Sequence, residues 1–336
     1  MSIKEWERSH RSADLLLRGR PLTEAGEWLT KKPDAFSPGE CQFIRASQNR
    51  KIKARALVAV GSILVLLLIG GPIAWLGMTG VTVSDAWLIV QARLGLVDIR
   101  EPDMVEIAGG EFQMGDVEGL GDQTEQPVRT VRIAPFQLSQ YEVTFDAYDQ
   151  FVKLKGSLRR PDDYTWWRGR RPVIDVSWED AQAYARWLSQ VTGKSYRLPR
   201  EAEWEYASRS GDKKQTWSGT FDESQLGEFA VYEANSGNRT AEVGEDKGRK
   251  HNDFGLYDMS GNVGEWVEDC WHENYTAAPK DGSAWLQGEG GDCGQRVVRG
   301  GSWNFLPVLL RASTRIRGPA DSRNNYVGFR LARGTP

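Results

Sequence analysis

The feature that most constrains this chain is an uncharged stretch between Arg55 and Asp85. Within it, residues 56–78 (ALVAVGSILVLLLIGGPIAWLGM) are almost continuously apolar. As an α-helix this segment would be about 34 Å long, enough to cross a hydrocarbon core of about 30 Å. A cleaved signal peptide would begin near residue 1, and a buried core helix rarely runs this long without a charge. The sequence therefore predicts one transmembrane helix over 56–78.

The flanks of this segment predict its orientation. Five basic residues precede it, whereas Arg93 is the basic residue at a similar distance on the other side; the five are Arg45, Arg50, Lys51, Lys53 and Arg55. Cytoplasmic flanks of membrane helices are enriched in Lys and Arg. We therefore expect a cytoplasmic N-terminus and a C-terminal domain in the periplasm or outside the cell.

The predicted organisation has four parts. They are a cytoplasmic helical juxtamembrane segment (1–55), the transmembrane helix (56–78), a helical linker (79–101) and one large domain (102–336). The first segment either docks a partner or acts as a plain helical spacer, and the sequence leaves both interpretations open.

Charge is unevenly distributed along the chain. Residues 1–55 hold 12 Lys and Arg against 7 Asp and Glu, while the whole chain has a formal net charge of −3. The remainder is therefore acidic, which is unfavourable for binding a phosphate backbone. We expect no nucleic acid among its partners.

The large domain is rich in tryptophan and glycine, with 14 Trp and 36 Gly in the whole chain. Such a composition favours short strands and tight turns anchored by buried aromatic side chains. The clearest helix begins at Ser177, where Asp180 completes a capping-box pattern, and it ends at Gly193. A second helix is predicted from about Arg200 to Ser208, and a third after Thr144.

Three cysteines, Cys41, Cys270 and Cys293, are too few for a disulfide-based scaffold. Cys270 and Cys293 either pair in an oxidising compartment or remain two unpaired thiols. The sequence alone does not decide between these alternatives.

Six segments between residues 104 and 333, in order, resemble the formylglycine-generating enzyme (sulfatase-modifying factor) family. They are MVEIAGGEFQMGD from Met104, FQLSQYEVTFDAYDQF from Phe136, RPVIDVSWEDAQAYARWLS from Arg171, YRLPREAEWEYASR from Tyr196, NDFGLYDMSGNVGEW from Asn252, and RVVRGGSWN with GFRLAR from Arg296. The resemblance implies an α+β, loop-rich domain of the C-type-lectin-like kind. It also implies that Trp204, Tyr206 and Phe329 are core residues.

The resemblance further implies a structural Ca²⁺ site in the loop 258–265. By position, Asp258 and Glu265 would supply side-chain oxygens, and Gly261 and Val263 backbone carbonyls. Gly264 stands where a tryptophan is common in the family. A metal-free turn held by hydrogen bonds is the alternative.

The family's enzymes need two cysteines just after the Gly-Gly-Ser-aromatic turn, and here those positions are Phe305 and Leu310. No cysteine follows Cys293, so the thiolates needed for copper and redox chemistry are missing. The three histidines, His10, His251 and His272, are scattered and show no iron-binding spacing. We expect neither copper nor iron, assign no catalytic residue, and expect no formylglycine formation.

The segment 304–327 carries apolar residues where many relatives are polar. In the lectin-like fold it lies on the ligand-facing surface, so we predict a ligand-binding site formed by Trp303, Phe305, Leu306, Val308, Leu309, Thr314, Ile316, Gly318 and Tyr326. Most of these residues also belong to the set that adenine-randomised codons of diversity-generating retroelements produce, which indicates a variable protein. The alternative is a degenerate enzyme relative in which these residues form core.

The sequence thus predicts a membrane-anchored, lectin-like receptor or display protein that binds a protein or cell-surface ligand. The alternative is an oxidoreductase or maturation factor of the same family that acts on an exported protein. A third hypothesis is a signalling protein whose N-terminal helices relay binding across the membrane.

Overall fold

A computed structural model of the chain describes residues 16–17, 19–50, 82–156, 158–244, 248–286 and 290–334. The predicted transmembrane segment 56–78 lies outside these ranges. None of the helices within them is both long and apolar enough to cross a membrane. The chain divides into two units, Met1–Ala86 and Trp87–Pro336.

The described part of the first unit contains two helices, α1 (Gly19–Lys31) and α2 (38–50). Leu16 and Phe43 are both buried and lie in one small apolar cluster. The backbone N–H of Leu17 donates to Ser47 Oγ at 3.1 Å. Both helices fall within the segment 1–55, which the sequence predicts to be helical.

Among the residues that the structure describes, four α-helices belong wholly or partly to the second unit: α3 (Val83–Arg93), α4 (Phe145–Lys155), α5 (Trp178–Thr192) and α6 (Glu201–Ser208). The predicted capping box of α5 is confirmed, with Ser177 Oγ accepting from Asp180 N at 3.1 Å. Gly193 ends this helix in the left-handed conformation, at φ 77°. Leu88 of α3 lies in the main core, so the predicted linker helix packs against the domain.

Within the described ranges, ten strands form three sheets. The strands are β1 (Met104–Ile107), β2 (Gly110–Met114), β3 (Arg129–Ile133), β4 (Phe136–Ser139), β5 (Tyr196–Arg197), β6 (Gly264–Trp271), β7 (Asp292–Arg299), β8 (Arg315–Pro319), β9 (Val327–Gly328) and β10 (Ala332–Gly334). The sheet orders are β1-β4-β10-β5, β2-β3 and β8-β7-β6-β9. Both β1 and β10 pair with β4, which brings the two ends of the domain together.

Buried aromatic side chains anchor the core, as the composition predicts. Trp204 and Trp266 are almost fully buried, and each indole N–H has a partner. The Trp204 Nε1–H donates to Glu265 Oε2 at 2.7 Å, and the Trp266 Nε1–H donates to the carbonyl of Val176 at 3.1 Å. Tyr206 and Phe329 are also buried, so the predicted core residues are confirmed.

A disulfide links Cys270 of β6 to Cys293 of β7, with a Cα–Cα distance of 4.5 Å. It joins neighbouring antiparallel strands of the sheet β8-β7-β6-β9. The alternative of two unpaired thiols is therefore not the arrangement in this structure.

Candidate ligand-binding face

Near its start, the segment 304–327 forms a short 3-10 turn, Pro307–Leu310, which leaves several apolar side chains exposed. Leu306, Val308 and Leu309 are 55%, 49% and 39% exposed. Leu310 is fully buried and packs in a small cluster with Trp217. The turn is thus fixed from below while three neighbouring apolar side chains face solvent.

Two hydrogen bonds hold this turn on the domain. The Trp217 Nε1–H donates to the carbonyl of Pro307 at 2.8 Å, and the Ser260 hydroxyl donates to the carbonyl of Leu310 at 2.9 Å. Both donors are buried side chains of distant segments. The exposed apolar residues therefore lie on a rigid support.

Next to the turn lies an apolar groove of about 160 Å³. Its walls include Gly264, Trp266, Val298, Phe305, Ile316 and Tyr326. Trp266 pairs with Val298, and Val298 pairs with Ile316, so these three side chains form one row across three strands. The rings of Phe305 and Tyr326 are 5.8 Å apart at the rim.

Two glycines keep this groove open. A Cβ on Gly318 would lie 2.7 Å from the Trp266 ring, and a Cβ on Gly264 would lie 2.8 Å from Val298 Cγ1. Contacts that short require a neighbour to move. Gly264, which stands at a position where the family often has tryptophan, therefore contributes to the shape of the groove.

The nine predicted ligand-binding residues separate into three sets. Leu306, Val308 and Leu309 form the exposed turn, and a second set lines or borders the groove: Phe305, Ile316, Gly318 and Tyr326. Trp303 and Thr314 are 9% and 4% exposed. The Trp303 indole donates to the carbonyl of Asn325 at 2.9 Å, so this residue supports the face from beneath.

Two arginines of this segment, Arg315 and Arg323, have structural roles. Arg315 is buried and its Nε donates to Glu201 Oε1 at 2.7 Å. The Arg323 Nε donates to Asp180 Oδ2, also at 2.7 Å. Burial raises the pKa of Glu201, but Arg315 and Arg299 outweigh that effect and lower it below its ordinary value. Charge pairs therefore fix the middle and the C-terminal part of the segment.

The loop 258–265, predicted to bind Ca²⁺, has its carboxylates engaged by arginines. The Arg249 Nε donates to Asp258 Oδ1 at 2.9 Å, and Gly244 N donates to Asp258 Oδ2 at 2.9 Å. Arg330 donates to both oxygens of Glu265. Each carboxylate oxygen of Asp258 and Glu265 thus already accepts a hydrogen bond. Calcium binding at this loop stays a prediction.

A third carboxyl group, that of Glu142, lies beside the same loop. It accepts from Asn262 Nδ2 at 2.7 Å and from Val263 N at 3.2 Å. Burial, followed by repulsion from Asp258 and Glu265, raises its pKa well above the ordinary value. Within the described ranges, no group of three or more His, Cys, Asp or Glu side chains is arranged to hold a metal ion.

One exposed aromatic segment was not predicted as part of a site. Trp167 is 75% exposed, and Tyr164, Thr165 and Trp167 all have positive φ values. Trp166 between them packs edge-on against Trp303, with ring centroids 5.1 Å apart. The only sequence signal for this exposed segment is the pair Trp166 and Trp167 in a polar stretch. Positive φ values at non-glycine residues have no sequence signature.

Comparison with known proteins agrees with this architecture. A family model described as the sulfatase-modifying factor enzyme 1-like domain matches residues 95–335. The chain belongs to this family. The predicted α+β class with this type of domain is therefore confirmed.

Relatives of this sulfatase-modifying factor domain include an enzyme. The formylglycine-generating enzyme of Thermomonospora curvata is 29% identical over 296 residues, which cover 68% of this chain and 92% of the enzyme. Phe305 and Leu310, at the positions of the family's cysteines, are respectively a groove residue and a core residue.

Two solved structures share the fold. PvdO from Pseudomonas aeruginosa has a TM-score of 0.63 and 36% identity, covering 70% of this chain and 95% of that chain. Treponema denticola variable protein 1 has a TM-score of 0.57 and 28% identity, covering 69% of this chain and 95% of that chain. The sulfatase-modifying factor domain is thus similar both to an enzyme and to a variable protein.

Proposed function

We propose that this chain is a membrane-anchored ligand-binding protein whose contact surface is the face 304–327. The observation that carries the proposal is the exposed turn at Leu306, Val308 and Leu309 beside the apolar groove. Contiguous exposed apolar side chains on a rigid support are typical of protein contact sites. The ligand is therefore a protein or a cell-surface molecule with an apolar patch.

Peptide selection on the immobilised chain tests this proposal. A displayed random-peptide library yields binders, whose affinities are then compared between the wild type and a Leu306→Asp/Leu309→Asp variant. We expect the variant to weaken binding at least about tenfold, because a desolvated charge replaces an apolar contact. Leu120→Asp is the matched control, since Leu120 is 59% exposed and lies outside the face.

Leu306, Leu309 and Leu120 are all exposed, so replacing them by Asp leaves the core intact. Circular dichroism of each variant checks that the fold is retained. Binders whose affinity is the same for the wild type and the Leu306→Asp/Leu309→Asp variant would place the contact surface elsewhere and refute the proposal.

We also propose that the face is genetically diversified, an inference supported by the likeness to Treponema denticola variable protein 1. Codons 305–326 would then match a nearby template repeat at every base except adenines of the template, beside a reverse transcriptase gene. Sequencing the flanking DNA tests this. A locus without such a repeat would make the face a fixed one, and the binding proposal would stand independently.

The alternative is a maturation factor that acts on an exported protein, which the likeness to the Thermomonospora curvata enzyme favours. A cysteine-containing peptide incubated with the chain and Cu(I) distinguishes the two by mass spectrometry. We expect no conversion of the cysteine, because no thiol occupies position 305 or 310.

A further inference from the structure

A second concavity, of about 470 Å³, lies between the loop around Trp167 and the segment 227–242. Its volume lies within the range of about 300–1,000 Å³ that is usual for small-molecule sites. The residues that give it chemical character are Trp167, Arg168, Arg171, Arg239, Thr240 and Glu242. This concavity is separate from the apolar groove, and its lining mixes polar and apolar surface.

Trp167 presents its indole ring at the edge of this concavity. It is 75% exposed and has a φ of 68°, a conformation that costs energy for a residue with a side chain. Packing of the neighbouring Trp166 against Trp303 holds the loop in place. An indole kept in solvent by a strained and anchored loop is available to a ligand.

Among the described residues that line the concavity, four are arginines and one, Glu242, carries a carboxylate, so their summed charge is positive. Arg168 is paired with Asp149, and Arg249 with Asp258, so these two charges are compensated. Arg239 is exposed, and no carboxylate pairs with it within the described residues. It is therefore a cation that an anionic ligand can reach.

A hydrogen-bonding group also lacks a partner here. Thr240 is 2% exposed, and its Oγ1 makes no hydrogen bond within the part of the chain that the structure describes. Buried hydroxyl groups are normally hydrogen-bonded, because desolvating one without compensation is unfavourable. Arg171, whose guanidinium donates to the carbonyl of Thr240, holds this residue at the wall of the concavity.

We propose that this concavity binds an acidic sugar, with the sugar ring against Trp167 and its carboxylate on Arg239. An indole has a flat apolar face that suits the C–H groups of a pyranose ring. A guanidinium binds a carboxylate through two parallel hydrogen bonds. Glu242, which is exposed at the wall, can accept hydrogen bonds from sugar hydroxyls.

The proposal goes beyond the ligand-binding face, because it assigns a second site with a different chemistry. The two sites are neighbours, since Trp303 beneath the face contacts Trp166 beside Trp167. Because the two sites have different lining residues, the Leu306→Asp/Leu309→Asp variant should lose peptide binding and keep sugar binding.

Calorimetric titration of the full chain with glucuronate, glucose and inorganic phosphate tests the site. We expect glucuronate to bind at least fivefold more tightly than glucose, and phosphate to bind no more tightly than glucose. Arg239→Ala should weaken glucuronate at least fivefold and leave glucose unchanged. Trp167→Ala should weaken both sugars.

Matched controls are available on the same domain. Arg317 and Phe221 are exposed residues outside the concavity, so Arg317→Ala and Phe221→Ala should leave sugar binding unchanged. No measurable binding of glucuronate, equal affinity for phosphate, or glucuronate affinity that is unaffected by Trp167→Ala would each overturn the proposal.

Discussion

Arg330 binds both carboxylate oxygens of Glu265, with Nε–Oε2 and Nη2–Oε1 distances of 2.7 Å each. Both residues are fully buried, and the same guanidinium donates to the carbonyl of Tyr257 at 2.9 Å. The pair therefore joins the closing Gly-Phe-Arg segment to the loop 258–265. A buried pair of this kind is satisfied only when both partners are present.

Arg330→Ala should lower the free energy of unfolding by about 3–5 kcal/mol, because it leaves the carboxylate of Glu265 buried without its partner. Chemical denaturation measures the change. Arg317→Ala is the control. The ion pair between Arg317 and Glu273 is largely exposed and contributes at most about 1 kcal/mol to stability. Equal effects of the two substitutions would contradict this account of the buried pair.

Calcium binding at the loop 258–265 can be decided by thermal unfolding. An ion at about 100 times its Kd would stabilise the folded chain by about 2.7 kcal/mol, so the calcium prediction expects a clear rise in Tm over a chelator-treated sample. The ion would have to displace Arg249 and Arg330 from Asp258 and Glu265. An unchanged Tm, with no heat on titration, would show that the arginines hold these carboxylates instead.

Stability should depend on the titration of Asp269. Burial, followed by repulsion from Glu201, raises the pKa of Asp269 to about 7, whereas an unfolded aspartate titrates near about 3.9. Between these values the folded chain binds more protons, so this group makes stability fall as pH rises. The loss should be on the order of 3 kcal/mol between pH 5 and pH 8.

Urea denaturation across this pH range measures that dependence. Asp269→Asn should flatten the slope, because an amide does not titrate, although it also loses a hydrogen bond from Glu201 N or Trp285 N. The comparison therefore uses the slope of the free energy of unfolding against pH, not the stability at a single pH. A slope that is the same in the variant would exclude Asp269 as its source.

Reduction of the disulfide should weaken the domain. Cys270 and Cys293 are 23 residues apart, and closing a loop of that size is worth about 3 kcal/mol. A Cys270→Ala/Cys293→Ala variant should lose a similar amount in denaturation without reductant. Cys41→Ala, in the other unit, should have the same stability as the wild type.

Membrane topology can be tested on the full-length chain. A reporter that is active only after export, fused after residue 334, should be active, and the same reporter fused at residue 50 should be inactive. This follows from the uncharged segment 56–78 and its basic N-terminal flank. The Cys270–Cys293 disulfide fits an oxidising compartment. A soluble, unexported chain would refute the membrane anchor.

Local patterns predicted much of the fold. The caps at Thr144 and Ser177 are where the sequence places them, because a cap involves residues only three positions apart. The core positions Trp204 and Phe329 were likewise predictable, since they carry the family resemblance. Helix ends depend on interactions that a short window of sequence contains, whereas the aromatic core positions were identified through the resemblance.

The arrangement of the candidate sites was less predictable. Phe305, from a loop, and Ile316, from β8, meet in one groove, whereas Trp303 and Thr314 turn inward from the same segment. The pairing of Asp258 with Arg249 and of Glu265 with Arg330 was not predicted. Such contacts depend on where separate loops meet, which the spacing of residues does not encode.

The floor of the apolar groove belongs to strands that pair through their backbones, whereas its rim belongs to a loop and a turn. Side chains at positions 306, 308 and 309 contribute little to the core, so their replacement changes affinity with little effect on folding. Gly318 differs from both groups: it lies in β8, and any side chain there would press on Trp266. A chain built in this way can acquire new specificities by substitutions that are nearly independent of one another, and position 318 sets how deep a ligand can reach.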